Sequence, residues 1–200
     1  MKKIFTFVLA MIAGFTLYAN NASLLKTYNA ALDAQYKLDM KALLSYMHPE
    51  YTEIDSEGKV IKFAALEKYI HGIQIMKNII AGKYTLLDIV ELEALSEEKT
   101  LSENERKQIK AMENTAEGKK MMAEIKKNLP EMQKEMKKLF DQIRDDLKTH
   151  KLIFCEVNGN TGVIVYKMKD SDKGKMEITV DIWEKVRGKW LCKKSVSKFE

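Results

Sequence analysis

Proline and glycine are scarce in this sequence, with two prolines and nine glycines among 200 residues. Low-complexity tracts are lacking as well, so we do not expect long disordered linkers. Acidic and basic residues are interspersed, and no basic stripe alternates with aromatic residues as in proteins that bind nucleic acid. The formal net charge of +5 therefore gives no reason to expect a nucleic-acid partner. What remains is a chain long enough to bury one sizeable hydrophobic core.

Long apolar runs are absent except near the amino end, where residues 4–17 are almost free of polar side chains. Two lysines precede this run, and Leu17-Tyr18-Ala19 ends it with a small residue, which is the form of a cleavable signal peptide. A cut after Ala22 and an uncleaved anchor are the alternatives, although the run is shorter than the roughly 20 residues that span a membrane. We expect residues 1–19 to be a signal peptide and the mature protein to be exported, to a bacterial periplasm or as a secreted protein.

Cysteine is also rare, with Cys155 and Cys192 as the only two. An even count in an oxidising compartment permits a disulfide. Both cysteines fall in predicted strands, however, and in a simple meander they would be three strand spacings apart, roughly 14 Å. A bridge needs Cα atoms within about 7 Å, so two buried thiols are favoured and a disulfide is the alternative.

The first part of the exported chain predicts a helix and a hairpin. Ser23 can cap a helix whose apolar residues recur at three- and four-residue steps until His48-Pro49, because the residue before proline avoids the helical region. Residues 51–55 and 59–61 then predict a short β-hairpin with its turn at Gly58.

A second helix is predicted over residues 63–80, with Gly82 as its stop, and a strand over residues 84–92. From residue 95 to residue 150 the pattern is helical and highly charged. Pro130 either kinks this stretch or begins a second helix capped by Asn128. We favour a helical hairpin joined near Asn128, because its two apolar stripes could bury each other.

The last fifty residues predict four β-strands, separated by turns that contain Gly159, Gly174 and Gly188. The predicted strands cover residues 152–157, 161–168, 175–186 and 189–198. In the third strand Met176, Ile178, Val180, Ile182 and Val186 share one face, and Glu177, Thr179, Asp181, Trp183 and Lys185 share the other. The aliphatic face is expected to pack on helices and the other face to be partly solvated.

Three stretches in this order resemble the nuclear transport factor 2-like superfamily, which includes SnoaL-like polyketide cyclases and ketosteroid isomerases. The stretches are His48-Pro49-Glu50-Tyr51 with the turn at residues 55–59, the strand pair at residues 158–166, and the closing hairpin at residues 180–191. The resemblance covers roughly residues 23–92 and 150–199. It implies an α+β roll, in which a curved antiparallel sheet wraps around an N-terminal helix. Residues 20–200 would then form one such domain with a helical insertion at about 95–149, which is a departure from the common core.

The resemblance also implies a mostly apolar cavity between the first helix and the sheet. From their positions on the predicted elements, we expect these residues to line it: Tyr28, Leu32, Tyr36, Met40, Tyr69, Ile73, Ile178 and Val180. Members of this superfamily use the cavity for isomerisation, dehydration or cyclisation, or for binding alone, so the fold does not settle the function.

An isomerase needs a carboxylate base and hydrogen-bond donors for a developing enolate. The resemblance places Asp55 near the base of the ketosteroid isomerases, and Tyr28 and Tyr36 could supply a phenolic donor. Asp55 is also typical of a turn in which aspartate bonds its own backbone, and this turn role is favoured over catalysis. Asp181 has the parity that should direct it away from the cavity, so a second carboxylic donor is lacking.

The three histidines, His48, His71 and His150, have no metal-ligand spacing, and phosphate-binding and Cys-x-x-Cys motifs are absent. No metal or cofactor is expected, and the methionines of the helical stretch are interpreted as core packing. Trp183 on the outer sheet face suggests a contact surface, since members of the superfamily often form homodimers through that face.

The sequence therefore favours a non-catalytic domain that binds a small apolar ligand or a protein. A lyase or isomerase acting on a carbonyl compound is one alternative, and an assembly module acting through the helical insertion is another.

Overall fold

In the computed structural model of the protein, residues 21–97 and 99–200 are described. The predicted signal peptide, residues 1–19, lies outside the described residues. None of the described helices is both long and apolar enough to cross a membrane. The chain forms two compact units: unit 1 comprises the described residues up to Phe63 together with Asp145–Glu200, and unit 2 comprises Ala64–Arg144.

Unit 1 begins with helix α1, which covers residues 21–36. Its buried residues recur at three- and four-residue steps, as in an amphipathic helix packed on one side: Leu24, Tyr28, Ala31 and Ala34. The helix ends earlier than predicted because Leu38 adopts a positive φ of 53°. A short helix α2 (Met40–Leu44) follows, and the side chain of Asp39 caps it by accepting a hydrogen bond from Ala42 N.

The predicted hairpin is confirmed as strands β1 (Met47–Ile54) and β2 (Val60–Lys62), which pair antiparallel. Gly58 has a φ of 83°, a conformation that glycine adopts without strain. His48 and Pro49 lie within β1 and do not end a helix. The pairing of β1 with β6 is irregular between Met47 and Thr52, so the missing N–H of Pro49 falls where the ladder is interrupted.

The predicted carboxyl-terminal strands are confirmed as β3 (Lys151–Asn158), β4 (Thr161–Asp170), β5 (Lys175–Val186) and β6 (Lys189–Phe199). The sheet has six strands in the order β2-β1-β6-β5-β4-β3. All neighbours are antiparallel except β1 and β6, which are parallel. The α+β class is as predicted, with this one parallel pair as a departure from an antiparallel sheet.

The two faces of β5 are reversed relative to the prediction. Thr179, Asp181 and Trp183 are at most 7% exposed, whereas Ile178 and Val180 on the opposite face are only half-buried. We call the face that carries Asp181 the inner face. Val180 and Ile178 therefore do not line the predicted site, and Trp183 is not an outer contact residue.

A β-bulge in β6 allows both halves of that strand to contribute to the inner face. Ile182 pairs with Lys194 and Trp183 pairs with Cys192, which leaves Lys193 as an extra residue. Cys192 and Ser195 consequently point to the same side, although three positions separate them. The buried Trp190 and Cys192 precede the bulge, and the buried Ser195 follows it.

Helix α1 packs on the inner face, with Leu24 of the helix against Gly162 of β4. A Cβ atom at Gly162 would lie 2.4 Å from Leu24 Cδ2 and 3.5 Å from Trp190 Cζ3. One turn further along α1, the ring of Tyr28 contacts the rings of Tyr166 and Trp183, with centroids 5.8 and 6.1 Å apart. Glycine at position 162 thus lets the helix approach the sheet closely.

Unit 2 contains most of helix α3 (Phe63–Ile80), whose bounds are as predicted, and helix α4 (Leu86–Ser96). The strand predicted for residues 84–92 is therefore wrong. Thr85 and Asp88 form a capping box, in which each side chain bonds the other residue's backbone N–H. This cap starts a helix at the apolar run that resembles a strand.

The predicted helical stretch forms α5 (Glu103–Met112) and α6 (Ala116–Lys148). The break lies at residues 113–115, and α6 continues through Pro130, so the joint predicted near Asn128 is wrong. Pro130 is exposed, which directs its ring toward solvent. Met132 and Met136 of α6 pack with Ile75 and Ile79 of α3, so methionine serves there as core packing.

A buried carboxylate links three helices of unit 2. Glu91 of α4, 6% exposed, lies 3.1 Å from His71 Nε2 of α3 and 3.1 Å from Arg106 Nε of α5. A second polar contact is the hydrogen bond of 3.0 Å that Leu86 N, at the start of α4, donates to Glu113 Oε1. The contact with Arg106 is an ion pair by distance alone, since Glu91 Oε1 has no hydrogen-bond partner among the described residues. Together these interactions help to fix the arrangement of α3, α4 and α5.

Both cysteines are free thiols, as favoured from the sequence. Cys155 lies on β3 and Cys192 on β6, which are three strand spacings apart in the sheet. Cys192 is buried and Cys155 is half-buried.

Candidate functional site

Asp181 and Ser195 form a buried pair on the inner face of the sheet. They lie opposite each other on β5 and β6, and Ser195 Oγ donates a hydrogen bond of 2.6 Å to Asp181 Oδ1. Glu53 of β1 is the register partner of Ser195 on its other side. The Ser195 hydroxyl on β6 therefore lies between two acidic residues, Asp181 on β5 and Glu53 on β1.

Burial raises the pKa of the Asp181 carboxyl to about 7, and the nearby Glu53 carboxyl contributes to this increase. The hydrogen bond from Ser195 acts in the opposite direction, because it stabilises the ionised form. Desolvation dominates, so Asp181 exchanges its proton near neutral pH. A carboxyl with this property can serve either as a hydrogen-bond donor or as a proton acceptor.

Glu53 and Glu177 also bind protons more tightly than ordinary carboxyls. Burial raises the pKa of Glu53. The hydrogen bond that Tyr51 Oη donates to Glu53 Oε2 at 3.2 Å lowers this pKa and offsets part of the increase. Burial likewise raises the pKa of Glu177, and hydrogen bonds with Ser197 and Ser56 lower it in part. The inner face therefore carries three carboxyl groups that favour their neutral form more than exposed ones do.

Aromatic side chains flank the Asp181–Ser195 pair. Tyr28 Oη lies 2.6 Å from His150 Nε2, and the His150 and Tyr166 rings have centroids 4.9 Å apart. Burial raises the pKa of Tyr28 and lowers the pKa of His150. Both directions favour a neutral phenol donating its hydrogen bond to a neutral imidazole, and we assign the pair in this way.

Thr179 extends the polar part of the inner face along β5. Its Oγ1 atom shares a hydrogen bond of 2.9 Å with Ser197 Oγ across the strand pair, and it also bonds the hydroxyl of Tyr166. Hydroxyl groups thus continue from the Asp181–Ser195 pair to the carboxyl of Glu177.

The two tryptophans have buried indole nitrogens without a hydrogen-bond partner among the described residues. Trp183 and Trp190 are each 2% exposed. Trp183 lies two positions beyond Asp181 on the same strand, and its ring meets Tyr28 edge to face. Two unsatisfied donors therefore lie beside the polar cluster on the inner face.

The residues predicted as catalytic are not brought together. Asp55 lies in the β1–β2 turn, where its Oδ1 accepts hydrogen bonds from Glu57 N and Lys59 N at 3.0 and 2.8 Å. This is the turn role that we considered as the alternative to catalysis, and it commits the carboxylate to the backbone. Tyr36 is 40% exposed at the end of α1, so of the three only Tyr28 lies in the cluster on the inner face.

The predicted cavity residues fall in both units of the chain. Tyr28 and Met40 are buried and Leu32 is half-buried in unit 1, whereas Ile73 and Tyr69 belong to unit 2. Tyr69 is 60% exposed.

Sequence reasoning missed Asp181, Ser195 and His150. The signal for Asp181 was that it shares a strand face with Trp183, since a large aromatic residue is more often directed inward than toward solvent. Ser195 could not be assigned in this way, because the bulge at Lys193 changes the alternation along β6. Among the described residues, no three His, Cys, Asp or Glu side chains are grouped as metal ligands.

Comparison with known proteins gives matches among solved structures alone: no family model matches the chain, and neither does any curated protein. One similar structure is a nuclear transport factor 2-like protein of unknown function from Silicibacter pomeroyi. It has 9% sequence identity and a TM-score of 0.44, and the match covers 92% of this chain and 98% of that one.

A nuclear transport factor 2-like protein of unknown function from Shewanella baltica is similar at 9% identity and a TM-score of 0.42, over 92% of this chain and 95% of that chain. A domain of unknown function with a cystatin-like fold from Nostoc punctiforme has 9% identity and a TM-score of 0.42, and the match covers 91% of this chain and 78% of that chain. Two of these descriptions name the superfamily that the sequence resembles. At such identities and TM-scores, the similarity says nothing about a ligand or an activity.

Proposed function

We propose that unit 1 binds a small organic molecule on the inner face of its sheet, with Asp181 as the polar anchor. The observation that carries this proposal is a buried carboxyl that titrates at a pH of about 7 beside aromatic rings. Small-molecule sites are typically apolar and aromatic, with a few placed polar groups. Residues with strongly shifted pKa values are concentrated at such sites.

The alternative explanation, that Asp181 contributes to the stability of the fold, is physically unfavourable. A buried carboxyl whose pKa is raised destabilises the folded state at neutral pH, since ionisation is easier in the unfolded chain. Among the described residues, Ser195 is the one hydrogen-bonded partner of Asp181, and the Glu53 carboxyl adds repulsion. An apolar residue of similar size would pack at this position without that penalty.

Native mass spectrometry of the protein purified from a cell that exports it tests the proposal. We expect a co-purifying molecule of a few hundred daltons, and a chain mass that corresponds to cleavage after Ala19. Thr179→Leu adds apolar bulk to the inner face and should abolish the bound mass. Val180→Leu is the matched control, because it changes the adjacent, outward residue of the same strand.

Cooperative thermal unfolding of both variants establishes that they are folded. If Thr179→Leu does not fold, Ser195→Val replaces it as the inner-face variant. Equal retention of the bound molecule by the inner-face and outer-face variants would contradict the proposed location. A wild-type protein without a bound molecule, and with a melting temperature unchanged by a panel of small ketones, alcohols, amines and acids, would refute the proposal.

A second candidate function is proton transfer at carbon next to a carbonyl group, as in a lyase or isomerase. Asp181 takes the role that the sequence suggested for Asp55, because its pKa of about 7 lies near the pH at which such an acid or base must operate. Tyr28 and Tyr166 are phenols near Asp181 on the inner face, and Tyr28 would polarise the carbonyl only after its O–H turns from His150 to the substrate. The proton would pass from the carbon to Asp181 and return from Asp181 to the product.

Deuterium incorporation next to the carbonyl of cyclohexanone in deuterated buffer, followed by proton NMR, tests this second function. We expect Asp181→Asn to lower the protein-catalysed rate by about 100-fold, a typical contribution of one general acid–base group. Glu156→Gln, at an exposed carboxylate on β3, should leave the rate unchanged. Rates that are equal with and without protein, or equal in the wild type and Asp181→Asn, would exclude the role.

A further inference from the structure

Helix α6 carries most of its lysines on one side. At 3.6 residues per turn, each residue of a helix is rotated by about 100° from the one before it. Between Ala116 and Phe140 every lysine then falls within a sector of roughly 120°, and every one is exposed. We call this sector the lysine face, and its lysines are Lys119, Lys120, Lys126, Lys127, Lys134, Lys137 and Lys138.

Over residues 116–140, all of which the structure describes, the lysine face contains no acidic residue and no large apolar side chain. Its remaining positions are Ala116, Ala123 and Pro130. At a rise of 1.5 Å per residue, the face is roughly 29 Å long from Lys119 to Lys138. Seven positive charges therefore lie along one strip of the helix, uninterrupted by negative charge.

The glutamates of the same stretch form a separate row. The row is centred roughly 100° around the helix from the middle of the lysine face, and it consists of the exposed residues Glu117, Glu124, Glu131 and Glu135. Among the described residues, the ion pairs of α6 lie nearer its carboxyl end. They join Asp141 to Arg144 and Asp145 to Lys148, and none involves the lysine face. The charge of that face is therefore not neutralised within the described chain.

The side of α6 that packs in the core is turned away from the lysine face. Leu129, Met132 and Met136 pack with Ile75 and Ile79 of α3. These three residues of α6 lie, on average, roughly 150° around the helix from the middle of the lysine face. The apolar stripe of α6 is thus used within unit 2, and the exposed side offers charge rather than apolar area to a partner.

The form of the lysine face favours a flat anionic surface over a nucleic acid or another linear polyanion. A flat surface contacts one side of a helix and leaves the glutamate row beside the contact, whereas a flexible polyanion could follow the helix around to the glutamates. The cations are all lysines, which lack the planar fork that arginine uses to bind phosphate groups in a fixed geometry. The face also has no aromatic side chain on which a base could stack. Lipid headgroups in a fluid bilayer require neither feature.

We propose that the lysine face of α6 binds the surface of a membrane that contains anionic lipids. The helix lies along the membrane plane, with the lysine side chains at the headgroups and no side chain inserted among the acyl chains. Each lysine near an anionic bilayer strengthens binding about fivefold, and salt weakens such binding by screening. This proposal is independent of the ligand proposed for unit 1, because residues 116–144 belong to unit 2.

Co-sedimentation with large unilamellar vesicles tests the proposal, on protein purified from a cell that exports it. We expect binding to vesicles of phosphatidylcholine with about 30% phosphatidylglycerol at low salt, and loss of that binding when the salt is raised to about 0.5 M. Vesicles of phosphatidylcholine alone should bind little protein. This second vesicle measures any binding through apolar residues, which the comparison then removes.

The double substitution Lys126→Gln with Lys127→Gln should weaken binding to the anionic vesicles about 25-fold, or about fivefold for each lysine. The matched control is Lys59→Gln with Lys189→Gln, which makes the same change in net charge at exposed positions of unit 1. The control should bind almost as the wild type does. Because all four side chains are exposed, we expect unchanged far-ultraviolet circular dichroism, which establishes that both proteins are folded.

A second pair, Lys119→Gln with Lys120→Gln, lies two turns earlier on the lysine face and should weaken binding to a similar extent. Equal weakening by the unit 1 control would overturn the proposal, because binding would then depend on net charge alone. Equal binding to anionic and neutral vesicles would also overturn it. Retention on immobilised heparin without binding to anionic vesicles would assign the lysine face to a linear polyanion instead.

Discussion

Asp181→Asn should make the protein more stable than the wild type at pH 8, by about 4 kcal/mol, and leave its stability near pH 4 almost unchanged. In the folded wild type the Asp181 carboxyl has a pKa of about 7, against 3.8 in the unfolded chain. Between these values the folded state retains a proton that the unfolded state has released. The free energy of unfolding therefore falls as the pH rises from about 4 to about 7.

The size of the effect follows from the difference of about three pH units, at about 1.4 kcal/mol for each unit. Asparagine has nearly the same shape and does not titrate, and its carbonyl oxygen can still accept the hydrogen bond from Ser195. Urea unfolding at pH 4, 6 and 8 measures the difference between the variant and the wild type. Glu53 contributes a similar pH dependence of the unfolding free energy in both proteins, so most of its effect cancels in the difference between them.

Glu156→Gln is the control for this experiment, since it removes an exposed carboxylate from the same unit. Its stability relative to the wild type should hardly vary with pH. If Asp181→Asn and the wild type have the same dependence of unfolding free energy on pH, then Asp181 does not titrate near neutral pH. The proposal that Asp181 is the polar anchor of a ligand would then lose the observation that carries it.

Arg106→Met should destabilise unit 2 by about 2–3 kcal/mol. The substitution leaves the Glu91 carboxylate, whose side chain is 8% exposed, with His71 as its one remaining side-chain partner in the described network. Breaking a buried ion pair on one side typically destabilises by 3–5 kcal/mol. The expected value is lower because the Arg106 side chain is 42% exposed, so water already weakens the pair.

Two further variants distinguish a buried charge from simple loss of packing. The double substitution Glu91→Met with Arg106→Met should recover most of the lost stability, since the uncompensated carboxylate is gone. Lys107→Met removes a partner of Glu103 from a pair whose side chains are 73% and 85% exposed, and should change stability by less than about 0.5 kcal/mol. Thermal or urea unfolding measures all three, and an Arg106→Met as mild as Lys107→Met would contradict the assignment.

The elements with strong local signals could be predicted from the sequence. Helix α3, the β1–β2 hairpin and the four terminal strands have clear periodicity and are bounded by glycine turns. Helix α4 was mistaken for a strand, because its apolar run is short and the decisive signal is the capping box between Thr85 and Asp88. The long helix α6 was divided at Pro130, since sequence alone does not tell whether an exposed proline is accommodated.

The site was predicted less completely than the fold. Tyr28 lies on the buried face of α1, since the face of an amphipathic helix follows from its spacing. Asp181 was assigned to the wrong face, since the aliphatic residues of β5 outnumber Thr179 and Trp183 and were expected to be the buried set. In the fold, those aliphatic residues lie on the outer face, and long-range pairing decides which side α1 covers.

The extra residue Lys193 has a consequence for how this sheet can change in evolution. The alternation of inward and outward side chains along β6 is interrupted at Lys193 and starts again after it. If the bulge were lost with the chain length kept, Lys193 would pair with Ile182, Lys194 would face Asp181, and Ser195 and Ser197 would turn outward. Substitutions on the inner face adjust it one side chain at a time, whereas loss of the bulge would exchange every inward side chain of β6 beyond it at once.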